Sequence, residues 1–188
     1  MKAIIFDFFG VLCVGSRSYA MGQCPEASQS RLDELFQQAD YGFITAQEFR
    51  AQAADLLGVS VEDFLRMMNN QYRRDETMLA GIKALRTRYK TALLSNANDA
   101  IIGELFTPQE QQELFDEVVV SSNVGMVKPQ KELYELTATR LGVLPEECVM
   151  IDDIESNITG AKNAGMQGIV FENRQQYERE LREMGIDA

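Results

Sequence analysis

Three sets of polar residues follow short apolar runs that are typical of strands buried in a sheet. Asp7 follows the run at 3–6, Ser95 follows the run at 91–94, and the pair Asp152–Asp153 follows the run at 149–151. Ligands of open parallel sheets bind beyond the carboxyl ends of the strands, so we expect these side chains to converge on one crevice. Lys128 is the candidate cation for the same crevice.

The types of these residues indicate phosphate chemistry around a metal ion. Two or three carboxylates that meet at roughly 3–5 Å repel, and they cannot all ionise unless a cation intervenes. Hard oxygen ligands in this number suit Mg²⁺. A lysine and a serine beside them would hold an anion, most simply a phosphate whose oxygens the metal also binds. An aspartate at such a centre can act as a nucleophile and form an acyl phosphate.

The elements that must position these residues alternate along the chain. Apolar runs predict strands at 3–6, 91–94, 118–120, 149–151 and 168–171. Helical patterns cover about 25–71, 77–90, 131–141, 158–164 and 175–184, and Thr107 with Pro108 predicts a further helix start. This alternation implies right-handed crossovers and an α/β fold with a doubly wound parallel sheet.

A long helical stretch interrupts the alternation after the first strand. Thr45 with Glu48 resembles a capping box at a helix start, and Gly58 is typical of a helix end. We interpret this stretch as an inserted, all-helical cap. The predicted division assigns residues 15–75 to the cap, and residues 1–14 and 76–188 to a Rossmann-like core.

The composition excludes several classes of function. Lys plus Arg is 18 against 29 for Asp plus Glu, and the resulting net charge of −11 argues against nucleic acid or an anionic membrane as a partner. The chain has no histidine, which excludes every mechanism that uses its own imidazole. Cys13, Cys24 and Cys148 are expected to be reduced thiols. Without a signal peptide or a membrane-spanning run, we expect a cytoplasmic protein.

The ordered motifs resemble those of the haloacid dehalogenase (HAD) superfamily over nearly the whole chain. They are IIFDFFGVL at 4–12, LLSN at 93–96, VKP at 127–129, and IDD at 151–153 with an asparagine four residues later. The resemblance implies a HAD core with a helical cap after the first motif. It also implies a Mg²⁺-dependent phosphohydrolase that acts on a small phosphorylated metabolite.

The resemblance further implies a role for each matched residue. Asp7 would be the nucleophile, and Lys128 would steady both the nucleophile and the phosphate. The substrate phosphoryl group would be bound by Ser95, Asn96 and Lys128. The metal site would comprise Asp7, the Phe9 backbone carbonyl, Asp153 and Asp152, with Asp152 and Asn157 as outer-shell partners.

Phe9 departs from the pattern of the family. Phosphatases of the family usually carry a second aspartate two residues after the nucleophile, which protonates the leaving oxygen and later activates water. General acid–base catalysis of this kind contributes about 10²- to 10⁴-fold, and phenylalanine cannot provide it. Related branches also lack the acid and carry glycine or an aromatic residue there, and some of them resemble sugar-1-phosphate phosphatases and others halide-removing enzymes with tyrosine. Within the superfamily, the chain resembles the sugar-1-phosphate phosphatase-like or epoxide hydrolase N-terminal phosphatase-like branch. Anomeric sugar, acyl and aryl phosphates are therefore favoured as substrates.

Two other functions remain open from the sequence. A 2-haloacid dehalogenase would also use an aspartate nucleophile and carry an aromatic residue at position 9, but it needs no metal, so the Asp152–Asp153 pair disfavours it. The third possibility is a catalytically weakened member that binds Mg²⁺ and a phosphorylated ligand, or a partner protein, as a sensor or regulator. Such a protein would turn over no phosphate ester.

Arg17 and Tyr19, just beyond the first motif, are further candidates for lining the crevice between cap and core. The cap sequence contains no recognisable motif for a particular substrate, and the oligomeric state is open.

Overall fold

A five-stranded parallel sheet lies at the centre of the protein, whose computed structural model describes residues 1–15 and 17–186. In chain order the strands are β1 (Ala3–Phe6), β2 (Cys13–Val14), β3 (Arg73–Arg74), β4 (Lys90–Ser95), β5 (Glu117–Val120), β6 (Cys148–Asp152) and β7 (Gln167–Val170). The sheet order is β5-β4-β1-β6-β7, which places β1 between β4 and β6. The α/β prediction is therefore confirmed.

Helices cover both faces of this sheet and also form the long insertion. They are α1 (Arg17–Gln23), α2 (Glu26–Asp40), α3 (Ala46–Leu57), α4 (Val61–Asn69), α5 (Glu76–Leu85), α6 (Asp99–Leu105), α7 (Pro108–Leu114), α8 (Ser121–Val124), α9 (Lys131–Leu141), α10 (Glu155–Asn163) and α11 (Arg174–Glu183), with a 3₁₀ turn at Pro145–Glu147.

The two faces of β1 belong to different layers of the core, because successive strand residues point to opposite sides. Ile4 and Phe6 join buried residues of α5, α6, α7 and α11. Ala3 and Ile5 join buried residues of α9 and α10. All four residues are completely buried, which explains the continuous apolar run in the sequence.

The inserted helices α1–α4 have a hydrophobic cluster of their own. It includes Leu32 and Leu35 of α2, Phe49 of α3, and Phe64 and Met68 of α4. Where the chain leaves and re-enters the core, β2 and β3 pair as a short antiparallel ribbon. We propose on this basis that the insertion is a cap domain bounded near residues 15 and 75.

Local sequence signals account for the helix boundaries that matter most. Thr45 and Glu48 form a reciprocal capping box at the start of α3, and Gly58 ends that helix in the left-handed conformation. Thr107 caps α7, with proline at its first position. These three predictions are confirmed.

Several predicted boundaries were wrong. The helix predicted over 77–90 ends at Leu85, because Lys90 pairs with Ala3 as the first residue of β4. The helix predicted at 158–164 begins at Glu155 instead. The sequence patterns also missed α1, α6, α8 and the β2–β3 ribbon, which are too short for periodicity alone to identify.

All three cysteines are buried and form no disulfide. Burial raises the pKa of the Cys13 thiol, so that residue lacks the thiolate character of a nucleophile. Among the described residues, no helix combines the length and apolar character that crossing a membrane requires.

Candidate active site

The carboxyl ends of β1 and β6 bring three carboxylates together. Asp7 directly follows β1 and donates its backbone N–H to the carbonyl of Ile151 at 2.8 Å, so it stays in register with β6. Asp152 ends β6, and Asp153 comes next. One carboxylate oxygen from each of Asp7, Asp152 and Asp153 lies within 4.8 Å of the other two. The convergence expected from the sequence is therefore present.

The ammonium group of Lys128 lies between two of these carboxylates. Its Nζ is 2.7 Å from Oδ1 of Asp7 and 2.6 Å from Oδ2 of Asp152, and all three side chains are buried. Asn96 holds the lysine backbone: its Nδ2 donates to the Lys128 carbonyl at 3.0 Å, and its Oδ1 accepts from the Lys128 N–H at 2.8 Å. The Asn96 side chain is thus engaged in positioning the lysine.

Asp152 is fixed by further hydrogen bonds around both of its oxygens. It accepts from the N–H of Ile154 at 2.9 Å and from Nδ2 of Asn157 at 3.0 and 3.1 Å. The Tyr134 hydroxyl in turn donates to the Asn157 carbonyl at 2.7 Å. Asp152 is not among the residues that line the cavity described below, and its Oδ2 contacts the Lys128 ammonium.

Asp153 is the exposed member of the cluster and approaches the turn after β1 closely. Gly10 has a φ of +89°, and a Cβ there would collide with the Asp153 carboxylate. Only glycine accepts both the left-handed backbone and this contact. The tight turn after the first strand therefore makes room for a carboxylate beside Asp7.

The charges of the cluster do not balance within the protein. Burial raises the pKa of Asp7 to about 7, and the charge of Asp152 adds to the increase while Lys128 opposes it. Burial followed by the Asp152 charge raises the pKa of Asp153. Burial disfavours the charged form of Lys128, but the neighbouring carboxylates outweigh it and raise the lysine pKa. The cluster holds three carboxylates but one ammonium, which contacts two of them, and this donor set and charge fit a hard divalent cation.

Ser95 lies at the end of β4, next to β1, and is completely buried. Its Oγ has no hydrogen-bond partner among the described residues. A buried hydroxyl normally has a partner, so the Ser95 hydroxyl is available to hydrogen-bond an oxygen atom of a ligand. Ser95 itself does not line the cavity.

A cavity of about 690 Å³ extends from the carboxylates into the helical insertion. Its walls come from both parts of the chain. The core contributes residues including Asp7, Phe9, Asn96, Lys128, Asp153 and Asn157, and the insertion contributes residues including Arg17, Asp40, Arg50, Phe64 and Met68. The size is that of a small-molecule site.

Charged residues of the insertion also reach this cavity, and the motifs did not predict most of them. Arg17 lies 2.8 Å from Asp33 and 3.3 Å from Asp40, whereas Tyr19 does not line the cavity. Arg50 pairs with Glu104 of α6 across the cavity. No sequence signal marks these pairs, because their partners are brought together only by packing of the insertion on the core.

Comparisons with known proteins are consistent with this geometry. The D-ribitol-5-phosphate phosphatase of Bacteroides thetaiotaomicron is 29% identical, with 96% of this chain and 97% of that protein covered. The human N-acylneuraminate-9-phosphatase is 32% identical, but the match covers only 53% of this chain and 40% of that protein. These are proteins to which the chain is similar.

Solved structures resemble this fold over nearly its full length. A HAD family enzyme from B. thetaiotaomicron has a TM-score of 0.83 at 24% identity, covering 97% of this chain and 98% of its own. A structure in complex with magnesium and inorganic phosphate has a TM-score of 0.80 at 23% identity, covering 97% of this chain and 100% of its own. The family model for haloacid dehalogenase-like hydrolases matches residues 1–165. The chain therefore belongs to the haloacid dehalogenase-like hydrolases.

Proposed function

We propose that the protein is a Mg²⁺-dependent phosphohydrolase that uses Asp7 as its nucleophile on a small phosphomonoester. The observation that carries the proposal is the position of the Asp7 carboxylate. It lies 2.7 Å from the Lys128 ammonium, inside a cluster of three carboxylates, at the floor of a cavity large enough for a metabolite.

The comparisons support the same reaction class. Named relatives include phosphatases of ribitol 5-phosphate, glyceraldehyde 3-phosphate and N-acylneuraminate 9-phosphate. One structure with the same fold contains both magnesium and inorganic phosphate. A metal-free dehalogenase would have no use for three carboxylates around one ammonium, so the charge of the site favours the phosphatase.

Each residue of the proposed site has a physical task. Asp7 attacks phosphorus, and Lys128 neutralises charge on the phosphoryl oxygens and on the nucleophile. The orphaned Ser95 hydroxyl would bind a phosphoryl oxygen, while Asn96 holds Lys128 in place.

The proposed metal ligands are Asp7, the Phe9 carbonyl and Asp153, with Asp152 and Asn157 fixing their surroundings. Bound there, Mg²⁺ would supply positive charge to the phosphoryl oxygens and favour ionised Asp7.

Neither the transfer of the phosphoryl group to Asp7 nor its later hydrolysis requires a histidine. A bond forms from a carboxylate oxygen to phosphorus as the ester bond breaks, and the leaving oxygen departs with the bonding electrons. Water then attacks phosphorus, which releases inorganic phosphate and restores the carboxylate. Phe9 cannot give the leaving oxygen a proton, so good leaving groups are turned over fastest.

The test is phosphate release with and without Mg²⁺. Wild type should release inorganic phosphate from aryl phosphates with Mg²⁺ and stop in EDTA, and Asp7→Asn should be inactive in both. Asp55→Asn, an exposed carboxylate on α3, is the matched control and should keep full activity. Mg²⁺-dependent release by Asp7→Asn, or halide release from 2-haloacids in EDTA by wild type, would overturn the proposal.

A further inference from the structure

The wall of the cavity above the carboxylates is mainly apolar. Its aromatic and aliphatic side chains come from the core turn and from all four inserted helices or their connections, and include Phe9, Met21, Phe36, Phe49, Leu65 and Tyr72. A substrate whose phosphate lies at Asp7 would place its leaving group against this wall. Hydrocarbon surface gains affinity there because it leaves water.

Phe9 makes the base of the wall aromatic. Its ring lies 4.7 Å from the Phe8 ring and 6.0 Å from the Tyr72 ring, centroid to centroid, so it joins the core to the returning chain of the insertion. The side chain at this position borders the space next to the nucleophile and offers a π-surface there. Phe9 therefore lacks the proton donor that an aspartate would provide at this position, and it offers the leaving group an aromatic contact instead.

The basic side chains that line the cavity in the described part of the chain are paired, whereas the Asp153 carboxylate beside the nucleophile has no ion pair there. Among the described residues that line it, Arg17 binds Asp40 at 3.3 Å, and Arg50 binds Glu104. Lys128 binds Asp7 within the carboxylate cluster. A polyhydroxylated leaving group would have to compete with these ion pairs for hydrogen bonds, whereas an apolar ring would leave them intact.

We propose that the leaving group is an aromatic alcohol of the phenol type, so that the substrate is an aryl phosphate monoester. This inference rests on the proposed phosphohydrolase function and selects one of the substrate classes that Phe9 permits. A phenolate departs with the electron pair of the broken P–O bond and needs no proton from the enzyme. Water then attacks phosphorus, and its released proton neutralises the phenolate through solvent.

Four esters separate the two properties that define this substrate class. 2-Naphthyl phosphate is apolar with a good leaving group, and cyclohexylmethyl phosphate is apolar with a poor one. α-D-Glucose 1-phosphate is polar with a good leaving group, and D-ribitol 5-phosphate is polar with a poor one. The kcat/KM of each is measured by phosphate release with Mg²⁺.

The naphthyl ester should be the best of the four. It should exceed the cyclohexylmethyl ester by at least about 100-fold, because only the latter requires an acid. Its kcat/KM should exceed that of glucose 1-phosphate by at least about tenfold, since burial of each methylene equivalent raises affinity about fourfold.

A cyclohexylmethyl value within threefold of the naphthyl value would overturn the inference. A higher value for either sugar or polyol phosphate would also overturn it. Release from none of the four contradicts the phosphohydrolase itself.

A matched pair of variants on α4 tests the apolar wall directly. Leu65 and Met67 are both half-buried, but of the two only Leu65 lines the cavity. Leu65→Gln should lower kcat/KM for 2-naphthyl phosphate by about four- to tenfold. Its inhibition constant for inorganic phosphate should stay unchanged, because phosphate does not reach the wall. Met67→Gln should match wild type in both measurements. An unchanged naphthyl value in folded Leu65→Gln would overturn the inference.

Discussion

Beyond the carboxyl end of the sheet, one buried ammonium is shared by two buried carboxylates. Nζ of Lys128 lies 2.7 Å from Asp7 and 2.6 Å from Asp152, and a third carboxylate stands nearby. Removing one partner of a buried ion pair leaves the other charge uncompensated, which is more costly than losing a surface pair. The stability of the metal-free protein therefore depends on this lysine.

Lys128→Met should lower the free energy of unfolding by about 3–5 kcal/mol in EDTA. Lys131→Met is the control, because the ion pair of Lys131 with Glu135 is solvent-exposed and contributes at most about 1 kcal/mol. Urea denaturation of both variants beside wild type measures the difference. Equal costs for the two substitutions would contradict the burial argument.

Asp7 should make the stability of the metal-free protein depend on pH. Its folded-state pKa is raised by burial to about 7, whereas the unfolded value is about 3.9. Between these values the folded state binds more protons than the unfolded state, so the free energy of unfolding falls as pH rises. Asp7→Asn lacks this group and should gain stability relative to wild type from about pH 4 to pH 7. Chemical denaturation in EDTA across that interval checks the sign, and a relative loss would contradict it.

The motif residues could be predicted from sequence because each one follows a buried strand. Asp7, Ser95 and Asp152 sit where apolar runs end, and parallel strands bring those ends to one edge. Asp40 could not be predicted in the same way. It borders the cavity only because α2 ends above the core, and burial there raises its pKa to about 6.

Among the elements, the end of α2 is attached closely to the core helix α8. Oγ of Ser121 donates to the backbone carbonyl of Asp40 at 2.6 Å. Two residues later, Gly42 has a φ of +74°, and a Cβ there would collide with the Ser122 carbonyl oxygen. The contact is backbone on backbone, so no side-chain rotation can relieve it.

Gly42→Ala should therefore destabilise the protein more than Gly58→Ala does. Gly58 has a similar φ of +67°, but nothing lies within 4 Å of the point that a Cβ would occupy there. Alanine at Gly58 should cost about 1–2 kcal/mol for the left-handed backbone alone. At Gly42 the overpacking adds about 1–3 kcal/mol. Urea denaturation compares the two variants, and a Gly42 cost no larger than that of Gly58 would show that α2 and α8 separate freely.

Elements that carry an apolar run, a helical period or cap residues followed from sequence, and the β2–β3 ribbon did not. The capping box at Thr45 and the proline start of α7 are local signals, and both were predicted. The two-residue strands β2 and β3 pair only because the insertion returns to its point of departure. Their pairing depends on contacts between residues about 60 positions apart, which no local pattern records.

For the molecule as a whole, the cavity arises from the meeting of two separately packed parts. One hydrophobic cluster lies within the insertion, and two lie on the faces of the sheet. The ion pair of Arg50 on α3 with Glu104 on α6 connects the insertion to the core.

The net charge of −11 disfavours polyanionic ligands. It does not disfavour a single phosphate, because Lys128 and a bound cation would make the electrostatic potential at the site positive.

Whether Asp7 attacks phosphorus decides the configuration that phosphorus has after phosphoryl transfer. An aryl phosphate made chiral with oxygen isotopes is turned over in the presence of an acceptor alcohol, and the configuration of the phosphoryl group transferred to that alcohol is determined. Two successive in-line displacements, first by Asp7 and then by the acceptor, predict net retention. Net inversion would mean that the acceptor attacks the ester directly, and it would contradict a nucleophilic role for Asp7.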